Sequence, residues 1–189
     1  MRVLGISGSL RRDSYNSALL RAAANQLPPG AELEVFDGLK AIPPYDADED
    51  VEPAPEPVQA LRDAIAAADA VLIATPEYNA SIPGVLKNAL DWASRPHATN
   101  VLRSKPAAVV GASTGMFGAV WAQAETRKVL GTIGARVLDH ELPVAEAPER
   151  LDERGELVDP DVLELLGEIV VDLVNTAETR AANLARVAA

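Results

Sequence analysis

Three stretches of this chain carry residue types and spacings suited to holding a ligand. The first is Ser7-Gly8-Ser9-Leu10-Arg11-Arg12-Asp13-Ser14-Tyr15-Asn16. It gathers hydroxyls at Ser9 and Ser14, an amide at Asn16 and a cation at Arg11. A helix follows at once, with Ser14 or Asn16 as its N-cap. Free N–H groups and the dipole at a helix start favour an anion. The set suits a phosphate monoester, a dianion with three acceptor oxygens. The spacing of Gly5 and Gly8 fits neither Gly-x-Gly-x-x-Gly nor Gly-x-x-x-x-Gly-Lys-Ser/Thr, so neither a dinucleotide diphosphate nor a nucleoside triphosphate is indicated. Taken alone, the loop reads equally well as a capped helix start beside a solvated arginine.

The second stretch is Thr75-Pro76-Glu77-Tyr78-Asn79-Ala80-Ser81-Ile82-Pro83, leading into a helix at Gly84. Pro76 and Pro83 stiffen it by fixing φ. Tyr78 and Asn79 offer an aromatic face and an amide, which suits a heteroaromatic ring with imide-like donors and acceptors. The plainer alternative is a proline-bounded turn with Tyr78 packed on a neighbour. The third stretch, Gly111-Ala112-Ser113-Thr114-Gly115-Met116-Phe117-Gly118, combines glycines that allow close backbone approach with two hydroxyls. Any one of these is a weak signal. Three of them, each directly after an apolar strand, point to one bound cofactor.

The elements that position them follow from periodicity. Strands are expected at 3–7, 33–36, 70–74, 106–112 and 136–138. Helices are expected at 16–26, 58–68, 84–93, 118–131 and 162–177, the last with Val162, Leu165, Leu166, Ile169, Leu173, Val174 and Ala177 on its apolar face. Strands alternating with helices make a parallel sheet covered on both faces. Five strands in 189 residues fit the flavodoxin-like order 2-1-3-4-5, a three-layer α/β sandwich, better than the dinucleotide-binding order. The whole chain, 1–189, reads as a single domain. In such sheets ligands sit outside the carboxyl ends of the strands. The Pro-rich, acidic stretch 37–57 is expected to be a lid or partner-contact loop, with a mobile surface loop as the alternative. Lys87 and Asp91, four apart, read as a surface or subunit-contact pair, and Trp92 reads as packing.

Composition narrows the field. Hydrophobic residues make up 48%, and 28 acids against 17 bases give a net charge of −11. Nucleic acid and anionic membranes are therefore poor partners. With no cysteine, thiolate catalysis and disulfides are excluded, and two histidines, His97 and His140, make a histidine-built metal site or a serine–histidine hydrolase a poor reading. The N-terminal segment lacks the form of a signal peptide, and no apolar run reaches the roughly 18 residues of a membrane span, so a cytoplasmic location is expected.

Two motifs carry a resemblance. Pro-Glu-Tyr-Asn-x-Ser-x-Pro-Gly-x-Leu-Lys-Asn-Ala-x-Asp-Trp stands at 76–92, and Gly-Ser-x-Arg-x-x-Ser-x-Asn at 8–16. With Ile42-Pro43-Pro44-Tyr45-Asp46 between them, the chain resembles the NADPH-dependent FMN reductases, the group that includes quinone and chromate reductases and some azoreductases. The resemblance implies FMN as bound cofactor and NADPH or NADH as hydride donor. It implies that Ser9, Leu10, Arg11, Ser14, Tyr15 and Asn16 hold the FMN phosphate end. Pro76, Glu77, Tyr78 and Asn79 would line the isoalloxazine largely through backbone groups, and Ser113, Thr114 and Gly115 would meet its other edge. Catalysis would rest on the flavin rather than on a side chain. A quinone-like small molecule would accept the electrons in a ping-pong exchange, and a homodimer or homotetramer is implied. The family often carries Gly-Gly-x-Arg-Ala-Gln after the third loop; here Trp121 stands in place of the arginine, which would remove any subunit salt bridge or cofactor-phosphate contact the arginine supplies and would make the substrate mouth more apolar. Two alternatives stand beside this reading: a flavin-binding electron carrier or redox sensor with little NAD(P)H turnover, and a phosphate-monoester enzyme of the same architecture. The second needs a converging carboxylate pair, and only Asp13 and Glu77 lie in the three loops.

Overall fold

The computed structural model describes residues 1–188. In chain order the elements are β1 (Arg2–Ser7), α1 (Tyr15–Gln26), β2 (Glu32–Phe36), α2 (Glu56–Ala67), β3 (Ala70–Thr75), α3 (Gly84–Ala93), β4 (Pro106–Ala112), α4 (Val120–Ile133), β5 (Arg136–Val137), β6 (Pro143–Val144) and α5 (Pro160–Ala188). The strands form one parallel sheet of order β2-β1-β3-β4-β5, as the sequence pattern predicts. Every residue of β3 and β4 is buried, so these strands read as unbroken apolar runs.

Alternate strand residues feed two cores, as the two-residue period of a strand requires. Leu4, Ile6, Val71, Ile73, Ala107 and Val109 face α2, α3 and α4. Val3, Ala70, Leu72, Ala74, Ala108 and Val110 face α1 and α5. Each fully buried Leu, Ile or Val contributes about 1.5–3 kcal/mol relative to exposure. No helix among the described residues is long and apolar enough to cross a membrane.

The structure corrects four expectations. The fifth strand position is filled by two pieces: β5 pairs the start of β4, and β6 pairs its end at Gly111 and Ala112. The polar run Asp139-His140-Glu141 leaves the sheet between them, and two-residue strands are too short to show a period. The last helix extends far beyond residue 177, because Ala, Arg, Glu and Leu sustain helix without burial. Within it, Leu165 is exposed, while Leu166, Ile169, Val170 and Leu173 face the core.

The fourth correction concerns 37–57. This segment is stitched down rather than free to act as a lid. Leu39 and Ile42 are buried. The Pro43 carbonyl accepts from Asn88 Nδ2 at 2.8 Å and from Trp92 Nε1 at 2.9 Å, and the Tyr45 N–H donates to Asn88 Oδ1 at 2.7 Å. The Tyr45 ring meets Trp92 edge-on at 4.9 Å. Further along, Asp50 pairs with Arg62 at 3.0 Å. Trp92 is thus packing, as expected, and α3 is the post to which the strap is tied.

Candidate functional site

Strands β1, β3 and β4 lie side by side, so the loops that follow them share one edge of the sheet. Loop 1 covers residues 8–14, loop 2 covers 76–83 and loop 3 covers 113–119. Their close approach depends on two glycines. A Cβ on Gly8 would stand 3.0 Å from a Leu86 methyl carbon and 3.2 Å from the Pro76 ring; one on Gly111 would stand 2.8 Å from the Thr75 carbonyl oxygen.

In loop 1, Ser14 is the N-cap of α1. Its buried hydroxyl oxygen accepts from the N–H groups of Asn16 at 3.2 Å and Ser17 at 3.3 Å, which leaves its own proton free to be donated. Among the described residues, the N–H groups of Leu10, Arg12 and Asp13 have no internal partner. The Arg11 guanidinium lies 4.4 Å from the centroid of the Tyr15 ring. A cleft of about 330 Å³ opens beside Arg11, Ser14 and Tyr15 and is walled on its far side by Leu151. Free N–H groups, a donating hydroxyl and a cation at a helix start fit a phosphate monoester.

The Asn16 side chain is engaged within the protein. It is buried, its Nδ2 donates to the Ala112 carbonyl at 3.1 Å, and its Oδ1 accepts from the Ala112 N–H at 3.0 Å. The Asn16 amide thus supplies Ala112 with a ladder-like pair of bonds just past the end of β3 at Thr75.

Loop 2 turns at Tyr78–Ser81. The Tyr78 N–H donates to the Ser81 carbonyl at 3.1 Å, and the Ser81 N–H returns to Tyr78 at 3.2 Å. Asn79 and Ala80 hold φ of +54° and +57°, the pattern of a tight hairpin turn. Their N–H groups, like those of Thr114, Gly115 and Met116 in loop 3, have no partner among the described residues. Both loops therefore carry unspent donors at the same edge of the sheet. Tyr78, Met116, Phe117 and Trp121 are exposed there, and the Phe117 and Trp121 rings meet at 4.9 Å.

Glu77 does more than its backbone role would require. The N-cap of α4 is Ala119, which has no side chain able to cap. Glu77 Oε2 takes that place from loop 2, accepting the N–H groups of Trp121 and Ala122 at 3.0 Å each. In the other direction, Glu125 of α4 accepts from the Ser81 hydroxyl at 2.6 Å and the Ile82 N–H at 3.1 Å. Its carboxyl is held below the ordinary carboxylate range, first by the Ser81 hydroxyl and then by the Ile82 N–H. The sequence places the helix start at 118, so the uncapped N-terminus at Ala119, and the need for a carboxylate from elsewhere, emerge only in the structure. Nothing in the linear sequence singles out Glu125. Lys87 and Asp91 form the expected pair, at 2.6 Å.

The profile of the NADPH-dependent FMN reductase family matches residues 1–149. An NAD(P)H-dependent FMN reductase of Pseudomonas aeruginosa is 46% identical over 167 residues, 88% of this chain and 89% of that protein. A 2-hydroxy-1,4-benzoquinone reductase of a Burkholderia species is 39% identical over 88% of this chain and 90% of its own length. Among solved structures, a flavoenzyme NAD(P)H:(acceptor) oxidoreductase from Paracoccus denitrificans superposes with a TM-score of 0.84 at 36% identity, covering 94% of this chain and 97% of that one.

Proposed function

As the chain belongs to the NADPH-dependent FMN reductase family, we propose that it is an NAD(P)H oxidoreductase that works on a bound FMN and delivers electrons to a quinone-like acceptor. The observation that carries this is the row of three strand ends at β1, β3 and β4, each leading into a loop with N–H groups still free to bind a ligand. FMN, when bound, would supply the redox chemistry, taking hydride from the nicotinamide and passing electrons to the acceptor.

Everything else asked of the chain is binding and exclusion. Ser9, Arg11 and Ser14, with the free N–H groups of loop 1, hold the phosphate against the α1 N-terminus. Leu10 and Tyr15 flank it. Pro76, Glu77, Tyr78 and Asn79 line one edge of the ring, and Ser113, Thr114 and Gly115 line the other. Asn16 serves this arrangement as a brace between α1 and the end of β4. One open face between loops 2 and 3 has to admit donor and acceptor in turn, which makes the exchange ping-pong. The exposed Tyr78, Met116, Phe117 and Trp121 make its mouth apolar, and this favours a flat, weakly polar acceptor. The benzoquinone activity named for the Burkholderia relative points the same way. So large an apolar rim also suits a second copy of the chain packed beside the mouth, in a homodimer or homotetramer.

The test is the visible spectrum of protein reconstituted with FMN, before and after anaerobic addition of NADPH or NADH. Bound flavin that bleaches rapidly, and recovers on addition of a quinone, is the expected result. Bound flavin that stays oxidised with both nucleotides would point to the electron carrier instead. Protein that binds no flavin would overturn the reading.

A further inference from the structure

Loop 2 lies directly against α4, and two carboxylates join them in opposite directions. Glu77 leaves the loop and caps the helix through Trp121 and Ala122; Glu125 leaves the helix and grips the loop through Ser81 and Ile82. Between these anchor points lies the turn with Asn79 and Ala80 in the left-handed region. A residue with a Cβ is disfavoured there, and Ala80 has no polar side chain to compensate. Such a conformation persists only where the surroundings over-determine it. The turn's own pair of hydrogen bonds closes it locally but does not fix it to the body of the protein. The Glu125 carboxylate does so, and both of its bonds use one oxygen, Oε2.

We propose that Glu125 is a positioning residue for the cofactor, which holds Ser81 and Ile82 against α4 and so aims the free N–H groups of Asn79 and Ala80 into the flavin cleft. The inference rests on the flavin reading above. Glu125 itself touches neither cofactor nor substrate; it acts through the turn. Lys87 and Lys128 are the nearby cations and add to the stability of its charge.

The test is a fluorescence titration of FMN into the flavin-free protein, its E125A, E125Q and S81A variants and the double variant S81A/E125A. Loss of a charge-assisted anchor is expected to weaken FMN binding about tenfold in E125A. Glutamine keeps an acceptor oxygen in the same place, so E125Q is expected to recover binding to within about threefold of wild type. The double variant is expected to bind no worse than E125A, because both changes break one contact. Amide exchange at Ile82 is expected to accelerate in E125A. Two results would overturn the proposal: FMN binding in E125A within about twofold of wild type, or E125Q as weak as E125A. Wild-type protein that fails to bind FMN would sink the flavin reading and this inference together, whereas wild-type binding that E125A leaves intact sinks this inference alone.

Discussion

Asn16 separates two roles that the motif alone cannot distinguish, and its removal has a calculable cost. In Asn16→Ala, the N–H and C=O of Ala112 each lose their partner, at 3.0 Å and 3.1 Å in the intact protein. Ala112 is 2% exposed, so water does not reach these groups without local opening. A buried polar group left unsatisfied costs about 1–3 kcal/mol. Two of them, relieved in part by relaxation at the strand end, should lower stability by about 2–4 kcal/mol. The assay is urea unfolding of flavin-free protein, where no phosphate contact can contribute. The midpoint should fall with an unchanged slope, the sign of a stability change without a change in unfolded surface. A loss below about 1 kcal/mol in flavin-free protein, with FMN binding abolished, would refute the brace and return Asn16 to the phosphate.

Other outcomes follow from the same geometry. Arg11→Ala should weaken FMN binding about tenfold or more and leave riboflavin binding unchanged, since riboflavin lacks the phosphate; equal losses for both ligands would remove Arg11 from the cradle. Trp121→Ala removes the aromatic partner of Phe117 and should raise KM for a flat quinone by about three- to tenfold while ferricyanide reduction is unaffected, as steady-state kinetics will show. Because the Glu125 carboxyl lies below its ordinary value of 4.5 in the folded protein, its anchor is complete above that pH and is lost as pH falls through the lowered value. FMN affinity measured against pH should show that acid loss in wild type, and a smaller one in E125Q. Lys105 is buried beneath the sheet, where it donates to the Ala66 and Ala68 carbonyls, and desolvation pushes its pKa down to about 8. Between about 8 and its ordinary 10.5 the unfolded chain binds the extra proton, so stability relative to Lys105→Met should rise with pH by roughly 1.4 kcal/mol per unit, measurable by denaturant titration.

Much of this protein is legible along the chain. The unbroken apolar runs of β3 and β4 and the apolar face of α3 are local patterns, and the structure returns them with the same or nearly the same limits. The alternation of strand and helix gives a parallel sheet, five strands in 189 residues favour its order, and that order brings three loops to one edge. The side-chain pairings that give the site its shape could not be read in this way. Asn16 meets Ala112 across 96 positions, and Glu77 and Ser81 each meet α4 across 44. The strap at 37–57 looked free because its polar partners, Asn88 and Trp92, lie on a helix whose apolar face explained the pattern without them. Periodicity records which residues are buried, because burial repeats with the backbone geometry of each element. A hydrogen bond between two loops leaves no such repeat. It depends on where the sheet carries the strand ends, and only the tertiary structure decides that.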